Sequence, residues 1–290
     1  MTPFGERLAA VAAAVEAELA ALLPPVEGPQ ARLHEAMRYA VLGGGKRLRA
    51  FLVVATAELL GTSGRAPVRV GAAIELVHAY SLVHDDLPAM DDALMRRGRP
   101  SCHHAFAEAT AILVGDALQP LAFELLARHD YGADAEQRCR LIAGLAAAAG
   151  SLGMCGGQLL DLLAEKQRWS LADISAMQRL KTGALIRCAC TAGAILGRAS
   201  AAEAAQLAAY ADELGLAFQI RDDLLDRGGE GVATGKDSGR DGAVGKATFV
   251  GVLGETGAGE ALEELRQRAV GRLDIFGHRA TVLVELFEFA

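Results

Sequence analysis

His78-Ala79-Tyr80-Ser81-Leu82-Val83-His84-Asp85-Asp86-Leu87-Pro88-Ala89-Met90-Asp91-Asp92 runs from an apolar helical stretch straight into four carboxylates. Such a concentration of charge is unfavourable in an apolar body unless counter-charge or a metal meets it. Asp85 and Asp91 would diverge on an unbroken helix that turns about 100° per residue. Pro88 cannot donate the helical hydrogen bond, so the chain should leave the helix there and bring Asp91 back beside Asp85. A second cluster, Arg221-Asp222-Asp223-Leu224-Leu225-Asp226, closes another apolar run, Leu214 to Ile220. Asp222 and Asp226 stand one turn apart on the same helical face. Two such clusters in one chain suggest one shared site.

Outward from these clusters the pattern is helical. Phe4, Leu8, Val11, Val15, Leu19, Leu22 and Leu23 recur at spacings of three and four before Pro24-Pro25, which predicts an opening amphipathic helix. Further helices are expected over Pro29–Val41, Leu48–Leu60, Val68–His84, Ala105–Arg128, Glu136–Leu162, Leu171–Leu196 and Ala201–Asp226. Aromatic residues make up only 5% of the chain while 52% is hydrophobic, with Ala and Leu abundant, a composition that suits close-packed helices better than strands. The expectation is an all-α chain. No proline- or serine-rich linker divides it, so 1–290 reads as a single domain. Arg227 to Lys246 is the exception to the helical pattern: its glycines, with Lys236, Arg240 and Lys246, read either as a loop that handles an anion or as a solvated surface loop, and composition alone does not choose between them.

Charge and composition exclude several function classes. The formal charge is -7, with 36 acidic against 29 basic residues, which disfavours nucleic acid as a partner. The amino terminus lacks a basic segment followed by an apolar run, and the five cysteines, Cys102, Cys139, Cys155, Cys188 and Cys190, contain no C-x-x-C pair. A cytoplasmic location without disulfides follows as the expectation. Leu141 to Leu160 carries no charge, but half of it is Gly or Ala, so it reads as a buried core helix and not as a membrane span.

Converging carboxylates without His or Cys are hard-oxygen ligands suited to Mg²⁺ shared with water and substrate phosphates. Cations that could meet phosphate flank them: Arg96-Arg97 follow the first cluster, and Lys46-Arg47-Leu48-Arg49 follow Gly43-Gly44-Gly45. The triple glycine is not a P-loop, since G-x-x-x-x-G-K-[ST] is absent. Cys102-His103-His104 is assigned no zinc site.

Taken in order, Gly43–Arg49 (GGGKRLR), His78–Asp92, Arg96–His103 (RRGRPSCH), Gly153–Leu162 (GMCGGQLLDL), Lys181–Arg187 (KTGALIR), Phe218–Asp226 (FQIRDDLLD) and Gly235–Thr248 (GKDSGRDGAVGKAT) resemble the motifs of the trans-isoprenyl diphosphate synthases, and within them the bacterial farnesyl type. The resemblance covers nearly the whole chain. It implies an all-α isoprenoid-synthase bundle around a deep apolar cavity whose two aspartate-rich motifs face across its mouth, and a homodimer. It implies that Asp85, Asp91 and Asp222 ligate Mg²⁺, with Asp86 and Asp226 in support and three ions on the allylic diphosphate; Mn²⁺ is an alternative occupant. Arg96, Lys181, Thr182, Gln219, Lys236 and Lys246 resemble the residues around that allylic substrate. Lys46, Arg49, His78 and Arg97 resemble the isopentenyl diphosphate site. Gln158 and Asp161 match a family element without an assigned role.

The activity so implied is head-to-tail condensation of isopentenyl diphosphate with dimethylallyl or geranyl diphosphate, by ionisation of the allylic substrate. Tyr80 lies roughly 7.5 Å down the helix from Asp85. Tyr80 and Ser81 occupy the level that would floor the cavity, and in the family an aromatic there goes with short products, so a fifteen-carbon product is expected. The rival readings are a geranyl or geranylgeranyl diphosphate synthase, a non-catalytic partner subunit of another prenyltransferase, and a di-metal phosphohydrolase, which would want histidine ligands and a polar pocket. The acidic, apolar ending Leu283 to Ala290 departs from the basic or polar tail of many members and is expected to pack on the body.

Overall fold

The first helix starts as its sequence directs: the Thr2 hydroxyl accepts from the Gly5 N–H, and Pro3 occupies the first turn, where a missing N–H is harmless. Helix α1 (Pro3–Leu22) buries Phe4, Leu8, Val15 and Leu19 and stops before Pro24. The computed structural model describes residues 2–164, 169–227 and 248–289, without the side chains of Asp226 and Arg227. Lys236, Lys246 and the expected glycine-rich loop from residue 228 onward lie outside the described residues.

The chain divides into two compact units. The first holds α1, α2 (Ala31–Val41), the start of α3 (Leu48–Leu59), α4 (Arg65–Asp85), α5 (Cys102–Phe106), α6 (Glu108–Ala127) and the beginning of α7 (Ala135–Ala149). Helix α4 is its axis. Apolar on nearly all sides, it is buried almost throughout, with α6, α1 and α2 packed around it. Its two buried charges are both paired. Arg69, fully buried, bonds Glu18 at 2.5 Å and Asp130 at 3.2 Å, and Glu75 accepts from Arg47 at 3.3 Å and from the Ala50 N–H at 3.2 Å.

A short hairpin, β1 (Met95–Arg96) and β2 (Arg99–Pro100), follows α4. Its turn residues Arg97 and Gly98 both have positive φ, 52° and 72°, as the tight hairpin turn whose twist matches the strands requires. Tyr39 ties the hairpin to α2 by donating to the Pro100 carbonyl at 2.8 Å, and Arg99 stacks 3.9 Å over its ring.

The second unit holds the end of α3, the rest of α7, α8 (Met154–Ala164), α9 (Leu171–Gln178), a π-turn (Arg179–Gly183), α10 (Ala184–Leu196), α11 (Ala201–Arg227), α12 (Phe249–Arg272), a 3₁₀ segment (Asp274–Ala280) and α13 (Thr281–Phe289). Helix α11 is its axis, against α12, α10 and the π-turn. The acidic, apolar ending does pack on the unit: Leu283, Leu286 and Phe287 are buried, Tyr210 donates to the Leu283 carbonyl at 2.6 Å, and Arg221 donates to the Glu288 carbonyl at 3.0 Å.

The helices expected from periodicity are present, but three are interrupted. Ala107, at φ 89°, separates α5 from α6. Turn residues 151–153 separate α7 from α8, where the approach of Gly153 to the Ala148 carbonyl leaves no room for a Cβ. Consequently the uncharged Leu141–Leu160 stretch is neither one helix nor wholly buried: Leu145 is buried, whereas Leu152 is 88% exposed. The third interruption is the π-turn.

The end of α4 is set by close packing on α6. His84 lies against Gly115, where a Cβ would fall 2.0 Å from His84 Nε2, and that nitrogen is 3.1 Å from the Ile112 carbonyl. Gly115→Ala should therefore lower unfolding free energy by about 1–3 kcal/mol. Gly144→Ala, on an exposed face of α7 with no atom near its Cβ, should raise it by roughly 0.5–1 kcal/mol. Urea melts of the two variants check this, and equal midpoints would contradict the packing account.

Candidate active site

Helix α4 ends at Asp85, three residues before Pro88, and the chain turns back at once. The Asp91 N–H donates to the Asp85 carbonyl at 2.8 Å, and the Ala93 N–H to the Asp86 carbonyl at 3.1 Å. The fold-back expected from Pro88 thus brings the Asp91 backbone onto Asp85. The two adjacent aspartates then part company. Asp86 is buried and gripped by Arg96, whose Nε lies 3.1 Å from both carboxylate oxygens and whose Nη2 also bonds it. Asp85 and Asp91 remain half-exposed.

Beside α4, within the first unit, opens a cleft. His78, Arg96 and Arg97 line it, with Arg47, Glu75 and Asp86. Arg47 is a buried anchor, bonded to Glu16, Glu75 and the Val41 carbonyl. Arg97 donates to the Gly44 carbonyl. Burial, and next the charge of Arg47, lowers the pKa of Arg97. The pKa of His78 is held well below the usual imidazole range by burial first and then by Arg49, Arg97, Arg96 and Arg47. Inside an acidic protein, this is a local positive field, suited to an anion. Lys46 is exposed and Arg49 half-buried; neither lines the cleft, though Arg49 bears on His78. Next to it, burial and then Asp86 push the Cys102 thiol up to about 11, against the thiolate a soft metal would need. His103 instead shares a hydrogen bond with Ser101 at 3.0 Å.

Tyr80 is buried in α4 with its ring edge-on to His84, centroids 5.9 Å apart. The Ser81 hydroxyl donates to the His78 carbonyl of its own helix at 2.9 Å.

In the second unit the π-turn carries Lys181 and Thr182. π-Turns are rare and recur at functional sites. This one is held by direct backbone approach: a Cβ on Gly157 of α8 would fall 2.1 Å from Lys181 N, and one on Gly215 of α11 would fall 3.0 Å from Gly183 Cα. Lys181 forms an ion pair with Asp161 of α8 at 2.5 Å, which gives the previously unassigned Asp161 a place beside the lysine. Thr182 Oγ1 lies 3.4 Å from Gln219 Oε1 and from Gln178 Oε1. Gln219 Nε2 in turn donates to Asp223 Oδ1 at 3.0 Å, and the other oxygen of Asp223 accepts from the Phe249 N–H at 2.8 Å. Asp222 is half-exposed while Asp223 is buried, the same division of labour as Asp85 and Asp86.

Among the described residues, no group of three His, Cys, Asp or Glu side chains could hold a metal ion. Half-exposed Asp85, Asp91 and Asp222 offer hard oxygens only, as Mg²⁺ prefers when it keeps waters and shares substrate phosphates. In each unit by itself these are oxygen donors of the kind that suits that ion.

Comparison with known proteins bears on this arrangement. The family model described as polyprenyl synthetase matches residues 30–271, a span that contains every site residue named above. The chain belongs to the polyprenyl synthetase family. Among the relatives of this polyprenyl synthetase is a farnesyl diphosphate synthase of Haemophilus influenzae, 44% identical over 97% of this chain and 96% of that protein. A farnesyl diphosphate synthase of Escherichia coli is 43% identical over 93% and 89%. An FPP/GFPP synthase of Zymomonas mobilis, solved as the apo structure, superposes with a TM-score of 0.90 at 44% identity, covering 99% of this chain and 98% of that one. The all-α isoprenoid-synthase fold expected from the sequence is therefore the fold of this family member.

Three features of the site went unread in the sequence: Arg47 as an internal anchor, the Asp161–Lys181 pair and the Asp223 network. Gln219 and Asp223 are four residues apart and share a helical face, so that link had a signal. Asp161 and Lys181 are joined only by the packing of α8 on the π-turn.

The His78 environment yields a sign-definite pH effect. Folded His78 stays neutral while the unfolded side chain takes a proton below its ordinary pKa of about 6.5. The unfolded state then binds more protons, so native stability falls as pH drops, by up to about 1.4 kcal/mol per pH unit. Between about pH 7.5 and about 5.5 the wild type should lose stability relative to His78→Gln. A pH-independent difference between their denaturant melts would contradict the burial of neutral His78.

Proposed function

We propose that this polyprenyl synthetase is a farnesyl diphosphate synthase, joining isopentenyl diphosphate head-to-tail to dimethylallyl or geranyl diphosphate. The observation that carries the reading is the pairing of half-exposed aspartates with a positive cleft lined by His78, Arg96 and Arg97, on a chain 44% identical to a farnesyl diphosphate synthase over nearly its full length. An acidic protein needs a divalent cation to hold one diphosphate and concentrated side-chain charge to hold the other.

Asp85, Asp91 and Asp222 would hold Mg²⁺ against the allylic diphosphate, three ions by family resemblance. Bound there, Mg²⁺ supplies the electrostatic withdrawal that makes the diphosphate a leaving group. Lys181, with Lys236 and Lys246, neutralises the charge that builds on that group as the C–O bond ionises. Thr182 and Gln219 turn oxygen dipoles toward the allylic cation. Arg96 serves the allylic side, and Lys46, Arg49, His78 and Arg97 seat isopentenyl diphosphate so that its double bond attacks. The released diphosphate takes the proton, and a new allylic diphosphate remains. Apolar walls exclude water, and Tyr80, with Ser81 beside it, stops chain growth at fifteen carbons.

A second copy of this chain completes the assembly. Helix α6 and the Ala135–Ala164 stretch are apolar and long enough to cross a membrane, yet only 39% and 28% of their most apolar windows are buried within the chain. Leu113 of α6 and Leu159 of α8 are exposed by 54% and 58%. A homodimer would cover such faces without any membrane, and light scattering should give about twice 30.2 kDa. A monomer in detergent-free buffer would contradict the dimer. The five cysteines are unpaired, which suits the reducing cytoplasm.

Purified protein given Mg²⁺, labelled isopentenyl diphosphate and either primer should yield farnesol after dephosphorylation, and Tyr80→Ala should yield longer alcohols. Asp85→Ala should cost about 10²–10³ in rate while leaving the fold intact. Diphosphate release that does not need isopentenyl diphosphate would make the protein a hydrolase. An unchanged product from Tyr80→Ala would reject the floor.

A further inference from the structure

We infer that Asp223 is a positioning residue that fixes which end of the Gln219 amide faces the reacting cation. The inference rests on the proposed role of Gln219 and deepens it. Both oxygens of Asp223 are committed, one to the Phe249 N–H at 2.8 Å and one to Gln219 Nε2 at 3.0 Å. An ionised carboxylate only accepts. Gln219 must therefore turn its NH₂ toward Asp223, and its carbonyl oxygen is left on the opposite side, 3.4 Å from the Thr182 hydroxyl. The direction of the Gln219 dipole is thus set by the charge state and acceptor count of a side chain one turn along the same helix.

Asparagine at 223 would break this logic without changing size. It has one acceptor oxygen, where the carboxylate has one for the Phe249 N–H and another for Gln219 Nε2. If that oxygen keeps the Phe249 N–H at the first turn of α12, the asparagine NH₂ faces Gln219. The glutamine amide then flips to accept from it, presenting its own N–H₂ where the oxygen stood. A donor in place of an acceptor would destabilise an allylic cation while leaving the diphosphate contacts in place. A role limited to starting α12 predicts something else, namely lost stability with no dependence on Gln219.

The test has two readouts. In steady-state kinetics with geranyl and isopentenyl diphosphates, Asp223→Asn should lower kcat about 10²-fold with KM for geranyl diphosphate within about threefold of wild type. In a Gln219→Ala background the same substitution should cost less than about threefold, because the amide it misdirects is gone. Equal losses in both backgrounds would overturn the inference. The second readout does not need catalysis. The Gln219 side-chain amide, assigned by its disappearance in Gln219→Ala, should exchange with solvent at least tenfold more slowly than exposed glutamine amides in wild type. Fast exchange in wild type would overturn the inference, whether or not Asp223→Asn folds. A protected amide in a protein that fails to condense the two diphosphates would leave the positioning intact and reject the synthase reading instead.

Discussion

A carboxylate enclosed by apolar helices must find a donor or lose its charge, and the whole arrangement of this protein answers that constraint twice. Each aspartate pair is divided. The second member, Asp86 or Asp223, turns inward to Arg96 or to Gln219 and the Phe249 N–H. The first, Asp85 or Asp222, is left half-exposed. Burying the inner carboxylates with full sets of donors avoids the penalty of an unpaired buried charge. It also fixes the local backbone from which the outer carboxylates project. The outer members, half-exposed, are the ones to which the proposed function gives metal and substrate.

The same economy of space places the cations. Gly157 and Gly215 let α8 and α11 reach the backbone of the π-turn, and Lys181 lands beside Asp161. A glycine in a helix weakens it slightly, and here the loss is offset by a contact no larger residue permits. In the first unit Arg47, Arg69 and Glu75 are buried ionic ties. Arg47 also lines the cleft, and its charge adds to the positive field felt by Arg97 and His78. Charges that hold the fold and charges to which the proposed function gives the substrate stand side by side in sequence, Arg47 between Lys46 and Arg49, Asp86 beside Asp85.

That adjacency explains what the sequence could and could not say. The long helices up to Asp226 were legible because their apolar residues recur at helical spacing, whereas α12, with a non-helical Gly254 inside it, was not read; both aspartate clusters were legible because charge is conspicuous in such runs. The fold-back at Pro88 followed from a missing N–H. The hairpin at Met95–Pro100 was not legible, since two residues per strand carry no alternation and its turn is Arg97-Gly98 in place of Asn-Gly. Nor was the π-turn, whose residues continue a helical pattern; only the packing of Gly157 and Gly215 on it reveals why it persists. The Asp161–Lys181 pair depends on that packing and has no spacing to announce it. By contrast, Gln219 and Asp223 lay in plain view one turn apart, and the carboxylate cluster around them drew attention to metal binding alone.

The central claim is that the outer aspartates bind their substrate through a divalent cation while the inner ones serve the protein itself. Calorimetric titration with an unreactive thio-analogue of geranyl diphosphate, with and without Mg²⁺, tests it most directly. Binding should require Mg²⁺, persist in wild type at saturating metal, and vanish in Asp222→Ala even though that variant melts as wild type does. Equal affinity with and without Mg²⁺, or full binding by Asp222→Ala, would show that the diphosphate is held by side-chain cations alone and would contradict the account.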